Sequence, residues 1–395
     1  MTPDFAESAD ALVRDATVKI KEVIESLYDS TYTQNLGPTV LLDNQEVIMM
    51  GAVNYLGLSH HPKVIQATIS AIESHGVGGL GSRYSNGCLT IHADLERQCR
   101  EFLKKSSCLF FNSGYVANLG AFQAFGNDAV VFSDKENHLS LYDAGILSRL
   151  KYFRFRHNDF EHLDRLLQRH RHVKNKWVVI VGTFGATGDN VNLVDIVRVA
   201  KKNGCRIYLD DAHSIGIYGD NKIGLSDKFG LMDSIDLLMT SFQMAFGSVG
   251  AVVAGDTDLI NKIKYYARSY IFTYTLPAHA VAGLQEAIQI VDSDEGTRLV
   301  ENLLKNATIL RGGIKKLGLS PVADEHHIVS VRVENEEKAI QLSKNLLNEG
   351  VWVQKYIHPS VPLGRPTIRF TTMATHTPAH LEKTLDALEK GLLIR

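Results

Sequence analysis

From Cys108 to Ala254, short apolar runs alternate with stretches in which apolar residues recur at helical spacing. The apolar runs predict strands at Leu109–Phe111, Ala129–Phe132, Tyr152–Phe155, Trp177–Val181, Arg206–Leu209, Ile235–Met239 and Val249–Ala254. The stretches between them predict helices after Gly114, at Leu139–Leu150, at Phe160–Arg169 and at Leu193–Lys202. Strands separated by helices imply βαβ units and a mostly parallel sheet of the seven-stranded type, covered on both faces.

The flanks carry different patterns. Apolar positions at Leu12, Ala16, Ile20, Val23 and Leu27 predict an amphipathic helix over 7–29, and Val40–Met50 reads as a hairpin. His61-Pro62 starts a helix that runs to about His75. Gly76–Gly87 is glycine-rich and reads either as a tether or, given Arg83 and Tyr84, as a loop packed around a site. Helical patterns at 258–266 and 279–317 follow the alternating region, with a loop at 271–277 between them. The remainder reads as α+β, with strands near 328–333, 351–353 and 367–370 and helices near 336–348 and 378–391. This predicts an α/β fold with an N-terminal segment (1–50), a large domain (51–292) and a smaller C-terminal α+β domain (293–395).

Composition narrows the function classes. The formal net charge is −2, with 45% hydrophobic and 22% charged residues, so neither nucleic acid nor an anionic membrane surface is an expected partner. The four cysteines form no metal-ligand spacing and are expected to be free thiols. No apolar run is long enough for a membrane span, and the first 20 residues lack an apolar signal core. A cytoplasmic protein is the expectation.

In an open α/β sheet, ligands gather beyond the carboxyl ends of the strands, so the residues just after each strand are the candidates for chemistry. Ser113-Gly114-Tyr115 opens a helix whose free N–H groups can hold a phosphate; Ser-Gly before a helix is also a common start. His138 can stack on a flat ligand or simply start a helix. Asp210-Asp211-Ala212-His213 places a carboxylate where it can hold a ring nitrogen protonated, with a histidine in reach of a ring oxygen; paired aspartates also suit a metal, for which no further acidic cluster is evident. Ser241 is a further phosphate candidate. Arg369 can clamp a carboxylate or lie on a strand face.

The stretch Met239-Thr-Ser-Phe-Gln-Met-Ala-Phe-Gly247 resembles the lysine loop, T-x-x-K-A-x-G, of the α-oxoamine synthases. The resemblance extends over nearly the whole chain, through Asn54-Tyr-Leu-Gly-Leu58, Gly81-Ser82-Arg83, Asn112-Ser-Gly-Tyr-x-Ala-Asn118, Asn137-His-Leu-Ser140, His157-Asn158-Asp159, Asp210-Asp-Ala-His213 and Arg369. It implies a fold-type I pyridoxal-phosphate transferase acting as a homodimer. By motif position, His138 covers the cofactor ring, Asp210 pairs with its nitrogen and His213 with its hydroxyl. Ser113, Gly114, Tyr115 and Ser241 lie near the phosphate, Thr273 reaches the partner's phosphate, and Asn54 and Arg369 hold the amino-acid carboxylate. The reaction implied is the decarboxylative condensation of a small amino acid with an acyl-CoA-type thioester to a 2-amino ketone.

Two departures stand against that pattern. Met244 occupies the position of the lysine, so bound pyridoxal phosphate would be non-covalent. The run Val181-Gly-Thr-Phe-Gly-Ala-Thr-Gly-Asp189 lacks the family's glutamate, serine and aspartate at 181, 185 and 187. Three readings follow: a synthase whose lysine has been exchanged, a lysine-free enzyme with another base, and an inactive homologue that regulates or scaffolds a lysine-containing synthase in a heterodimer. Gln243 and the altered 182–189 run lie outside a single exchange and favour divergence.

Overall fold

The computed structural model describes residues 31–358 and 360–393; the helix expected over 7–29 lies outside them. The strands are β1 (Gln34–Asn35), β2 (Thr39–Leu42), β3 (Gln45–Met49), β4 (Ser107–Phe111), β5 (Val130–Asp134), β6 (Lys151–Phe155), β7 (Lys176–Val181), β8 (Arg206–Asp210), β9 (Leu237–Ser241), β10 (Ala251–Gly255), β11 (Ile328–Arg332), β12 (Val351–Trp352), β13 (Gln354–Tyr356) and β14 (Thr367–Thr371). Seven of them form the main sheet in the order β4-β10-β9-β8-β7-β5-β6. All its neighbouring pairs are parallel except those of β10, which runs antiparallel to both β4 and β9.

The sheet is buried because its strands are apolar on both faces. Val178, Val179, Ile180, Ile207, Tyr208, Leu209, Val252 and Val253 are all fully buried. Burial of each such side chain contributes roughly 1.5–3 kcal/mol. Local signals set the covering helices: Asp159 and Asn192 accept a backbone N–H at the starts of Phe160–Arg169 and Leu193–Lys202. Helix Ala278–Val291 packs against Pro62–His75 and Thr90–Leu103 on the other side of the chain's core.

The pairing places the site. Ala251 of β10 faces both Phe111 and Ser241, so the ends of β4 and β9 lie at one edge of the sheet. Val181 pairs with Asp210, and Asp210 with Met239, which brings the ends of β7, β8 and β9 to the same edge. The chain leaves β5 for β6 and returns on the opposite side as β7, so the sheet splits there. Asn137 bridges the split: its amide donates to the Val179 carbonyl at 2.8 Å and accepts from the Val181 N–H at 2.9 Å.

A second core, built on Leu310, Val329, Ile368, Phe370 and Leu388, lies under a three-stranded sheet β11-β14-β13. The single strand expected at 351–353 is instead two short ones. β12 pairs in parallel with β3 of the hairpin, whereas β13 pairs with β14. The run reads as one strand because both pieces are extended, but its partners belong to different sheets. Likewise β9 starts at Leu237 rather than Ile235, because the Asp236 carboxylate is drawn off to the Ile207 N–H and Lys201.

Candidate active site at the strand ends

Asp210 is the last residue of β8 and is 5% exposed. Its Oδ2 accepts from Asn118 Nδ2 at 2.9 Å and its Oδ1 from the Ala212 N–H at 3.3 Å. Burial raises its affinity for a proton, and the Asn118 hydrogen bond opposes this. No cation forms an ion pair with it among the described residues. Asn118 also donates to Ser140 Oγ at 2.8 Å and accepts from Tyr208, and Ser140 Oγ meets His138 Nδ1 at 2.7 Å. A continuous polar path therefore joins His138 to Asp210 through Ser140 and Asn118. The motif containing Asn118 was visible in the sequence, but a side-chain contact across 92 residues left no local signal.

Asp211 points elsewhere. Its Oδ2 accepts from the Leu225 N–H at 2.7 Å, and burial pushes its carboxyl up to about 7. Successive residues at a strand end face opposite sides, so only one aspartate is offered to the site. Among the described residues no group of three His, Cys, Asp or Glu side chains is arranged to hold a metal.

His213 is half-buried, with Nδ1 2.7 Å from the Tyr55 hydroxyl. Burial and then the Arg369 charge depress its proton affinity to about 3, so the ring is neutral. Tyr55 is fully buried; its N–H donates to the Met244 carbonyl at 3.3 Å, which seats the Asn54-Tyr55 segment on the 241–248 turn. Asn54 is held in its own turn, donating from Nδ2 to Ser59 Oγ at 2.7 Å. Gly247, at φ 58°, allows the two turns to meet: a Cβ there would lie 2.5 Å from Asn54 Oδ1.

At the other end, the first turn of helix Gly114–Ala121 abuts Ser241, and a Cβ on Gly114 would stand 3.5 Å from the Ser241 Cβ. Ser113 caps that helix through its hydroxyl. Ser241 Oγ donates to Gln243 Oε1 at 3.1 Å. Tyr115 bonds Asp143 through its hydroxyl and meets His138 edge-on at 6.3 Å. Thr273 is half-buried in the 271–277 loop, whose Tyr274 and Thr275 are tied to the glycine-rich loop at Ser82 and Gly81. The glycine-rich segment is thus packed rather than a tether.

Met244 is half-buried against the main core, and its thioether stands in the turn that follows β9. Arg369, on β14, is 3% exposed and has no carboxylate partner among the described residues. Its Nη1 donates to the Gly185 carbonyl at 2.8 Å and its Nη2 to the Gly51 carbonyl at 3.4 Å, while Nε lacks a partner there. His157 braces the same loop, with ring nitrogens 3.1 Å from Asp134 Oδ1 and 2.9 Å from Asp189 Oδ2.

Residues 45–388 match the aminotransferase class I and II family. A serine palmitoyltransferase of Bacteriovorax stolpii is 35% identical over 89% of this chain and 84% of its own. An 8-amino-7-oxononanoate synthase of Geobacter sulfurreducens is 36% identical over 93% of this chain and 94% of its own. A solved serine palmitoyltransferase from S. paucimobilis, with bound PLP-myriocin aldimine, superimposes with a TM-score of 0.91 at 31% identity, covering 98% of both chains.

Proposed function

The chain belongs to the aminotransferase class I and II family and, within it, to the α-oxoamine synthases of fold-type I, and from that premise we propose that its strand-end site holds pyridoxal 5'-phosphate without a covalent bond. The substrates we assign are a small amino acid and an acyl-CoA-type thioester, the pair condensed in the family reaction.

The Asp210 carboxylate carries this reading. It is buried, bonded only to neutral donors, and sits at the end of a central strand. A buried carboxylate in that state is stabilised by a cation, and a protonated ring nitrogen supplies one. The residues around it fit the rest of the group: the helix start at Ser113-Gly114 beside Ser241 suits a phosphate, and the exposed imidazole of His138 suits stacking on a flat ring.

When bound, the cofactor supplies an electron sink for a carbanion at the amino acid's α-carbon. Asp210 keeps the proton on the ring nitrogen. His213, neutral and fixed by Tyr55, serves the ring hydroxyl. His138, fixed by Ser140, covers the ring. Asn54 and Arg369 take the substrate carboxylate, which replaces backbone carbonyls now bonded to the guanidinium. Thr273 belongs to a loop that would serve the phosphate of a second copy. Exposed Phe272, Leu80 and Tyr84 near that loop support a homodimer. Met244 offers neither an amine nor a titratable proton, so turnover needs another proton acceptor.

That same residue favours a second reading, a regulatory or scaffold subunit for an active synthase. For the division of the chain we propose 51–292 and 293–395, supported by the two cores; the β3–β12 pairing ties the hairpin of the first 50 residues to the smaller unit. No helix among the described residues is long and apolar enough to cross a membrane.

The test is an absorbance titration of the purified chain with pyridoxal phosphate, then with single amino acids, followed by mass detection of a 2-amino ketone after acyl-CoA is added. Saturable binding with product supports the enzyme. Binding without product supports the subunit. No saturable change sinks the cofactor assignment.

A further inference from the structure

We infer that Gly185 is the positioning residue of His213: the chain carries no side chain at 185, and the imidazole lies in the space that one would fill. A Cβ built on Gly185 would stand 2.4 Å from His213 Nε2, 2.8 Å from Cε1 and 3.2 Å from Cδ2. These three nearest atoms all belong to one ring. Gly185 is not among the residues with positive φ, so its backbone conformation admits any residue and only the contact demands glycine.

Neither side of the contact is free to yield. The Gly185 carbonyl accepts from Arg369 Nη1 at 2.8 Å, and the adjacent Ala186 carbonyl accepts from Ser330 Oγ at 2.9 Å. On the far side of the ring, His213 Nδ1 meets the Tyr55 hydroxyl at 2.7 Å. Tyr55 is itself pinned, with its carbonyl accepting from the Ala374 N–H at 2.7 Å and its ring 4.3 Å from that of His327. A side chain at 185 and the present position of His213 therefore exclude each other.

Restoring lysine at 244 would leave His213 where this chain puts it. The consequence for a ring hydroxyl rests on the cofactor reading above; the packing does not.

The test uses the ligand-free full chain. Gly185→Ala is made in the native background and in His213→Ala, and each is followed by thermal unfolding and by ¹⁵N spectra of histidine side chains. We expect Gly185→Ala to lower Tm by about 1–4 °C in the native background, to shift the His213 ring nitrogens, and to leave Tm unchanged in the His213→Ala background. An equal loss in both backgrounds, or unmoved His213 signals, overturns the inference. Should Gly185→Ala fail to fold in the native background, folding of the same change in the His213→Ala background supports the inference, and failure in both overturns it. A native chain that does not bind pyridoxal phosphate would remove the cofactor assignment and leave this cycle readable.

Discussion

Two regions of the site are built on different principles. Around Asp210, polar side chains form a connected path: His138, Ser140, Asn118 and the carboxylate itself are joined by bonds of 2.7–2.9 Å. Around Met244 and Gly185-Ala186, neutral residues hold the shape through backbone contacts and a missing side chain. A buried charge constrains every neighbour, because each change that strands it costs about 1–3 kcal/mol or more. A reactive amine on a turn carries no such web. On the reading proposed above, the residues assigned to the ring can therefore persist beside a methionine at 244, and binding and covalent chemistry separate.

The strongest way to break this comparison is Met244→Lys. If the turn still has the geometry of its relatives, adding pyridoxal phosphate should take the covalent imine absorbance from none in the native chain to one per chain. Its absence would mean that the second region has been remodelled beyond its one missing amine.

Asp210→Asn acts on the first region. We expect pyridoxal phosphate to bind roughly 30–100-fold more weakly, equivalent to about 2–3 kcal/mol for a lost charge-assisted hydrogen bond. The ligand-free variant should melt no lower than the native chain, because a buried carboxylate without a cation has been removed. Unchanged affinity in the titration would sever Asp210 from the cofactor.

The His157 brace joins the regions, since Asp134 ends β5 and Asp189 ends the altered loop. Burial alone would lower the proton affinity of His157, but hydrogen bonds to Asp134 and Asp189 overcome it and push the imidazole up to about 10. A folded-state value above the unfolded one, about 6.5, gives stability that is complete below that pH and is lost as pH rises through about 10. His157→Gln should cost about 1–3 kcal/mol at pH 6–7 in denaturant unfolding, and the gap to the native chain should close toward pH 10. A gap that is flat across this range would show that His157 is not charged in the fold.

The sequence carried most of the large sheet because the apolar runs and their helix caps are local signals. Phe160–Arg169, Leu193–Lys202 and Glu336–Asn348 begin after Asp159, Asn192 and Asn335, each a side chain that caps its own helix. The β12–β13 division was illegible because it depends on partners far away in the chain. The site shows the same split. His138, Asp210 and His213 stand just after or at strand ends and could be picked out by that position. The parts played by Asn118 and Tyr55 could not, since each is defined by a side chain it meets across the fold, and so is the link from Ser140 to Asn118. The glycine at 185 read as a loss, and only the ring packed against it shows what occupies the space.

The smallest effect should come from Ser241→Ala, which probes where the two regions meet. Ser241 closes β9 beside the Gly114 helix start, on the side of the first region proposed above for the phosphate. Yet its hydroxyl is bonded to Gln243 Oε1 at 3.1 Å, a residue of the altered turn. A phosphate would have to win that hydroxyl from a neutral acceptor, so its net gain is one hydrogen bond less one. We expect a loss of only about two- to five-fold in pyridoxal phosphate affinity, below the roughly 1 kcal/mol of an uncontested bond. Gln243→Gly should leave the hydroxyl, as donor, only its longer contact to the Gly250 carbonyl at 3.5 Å and tighten binding by a similar factor, and the gain should vanish when Ser241→Ala is present. If Gln243→Gly leaves the affinity of the Ser241 chain unchanged, the altered turn does not reach the phosphate side, and the two regions are independent.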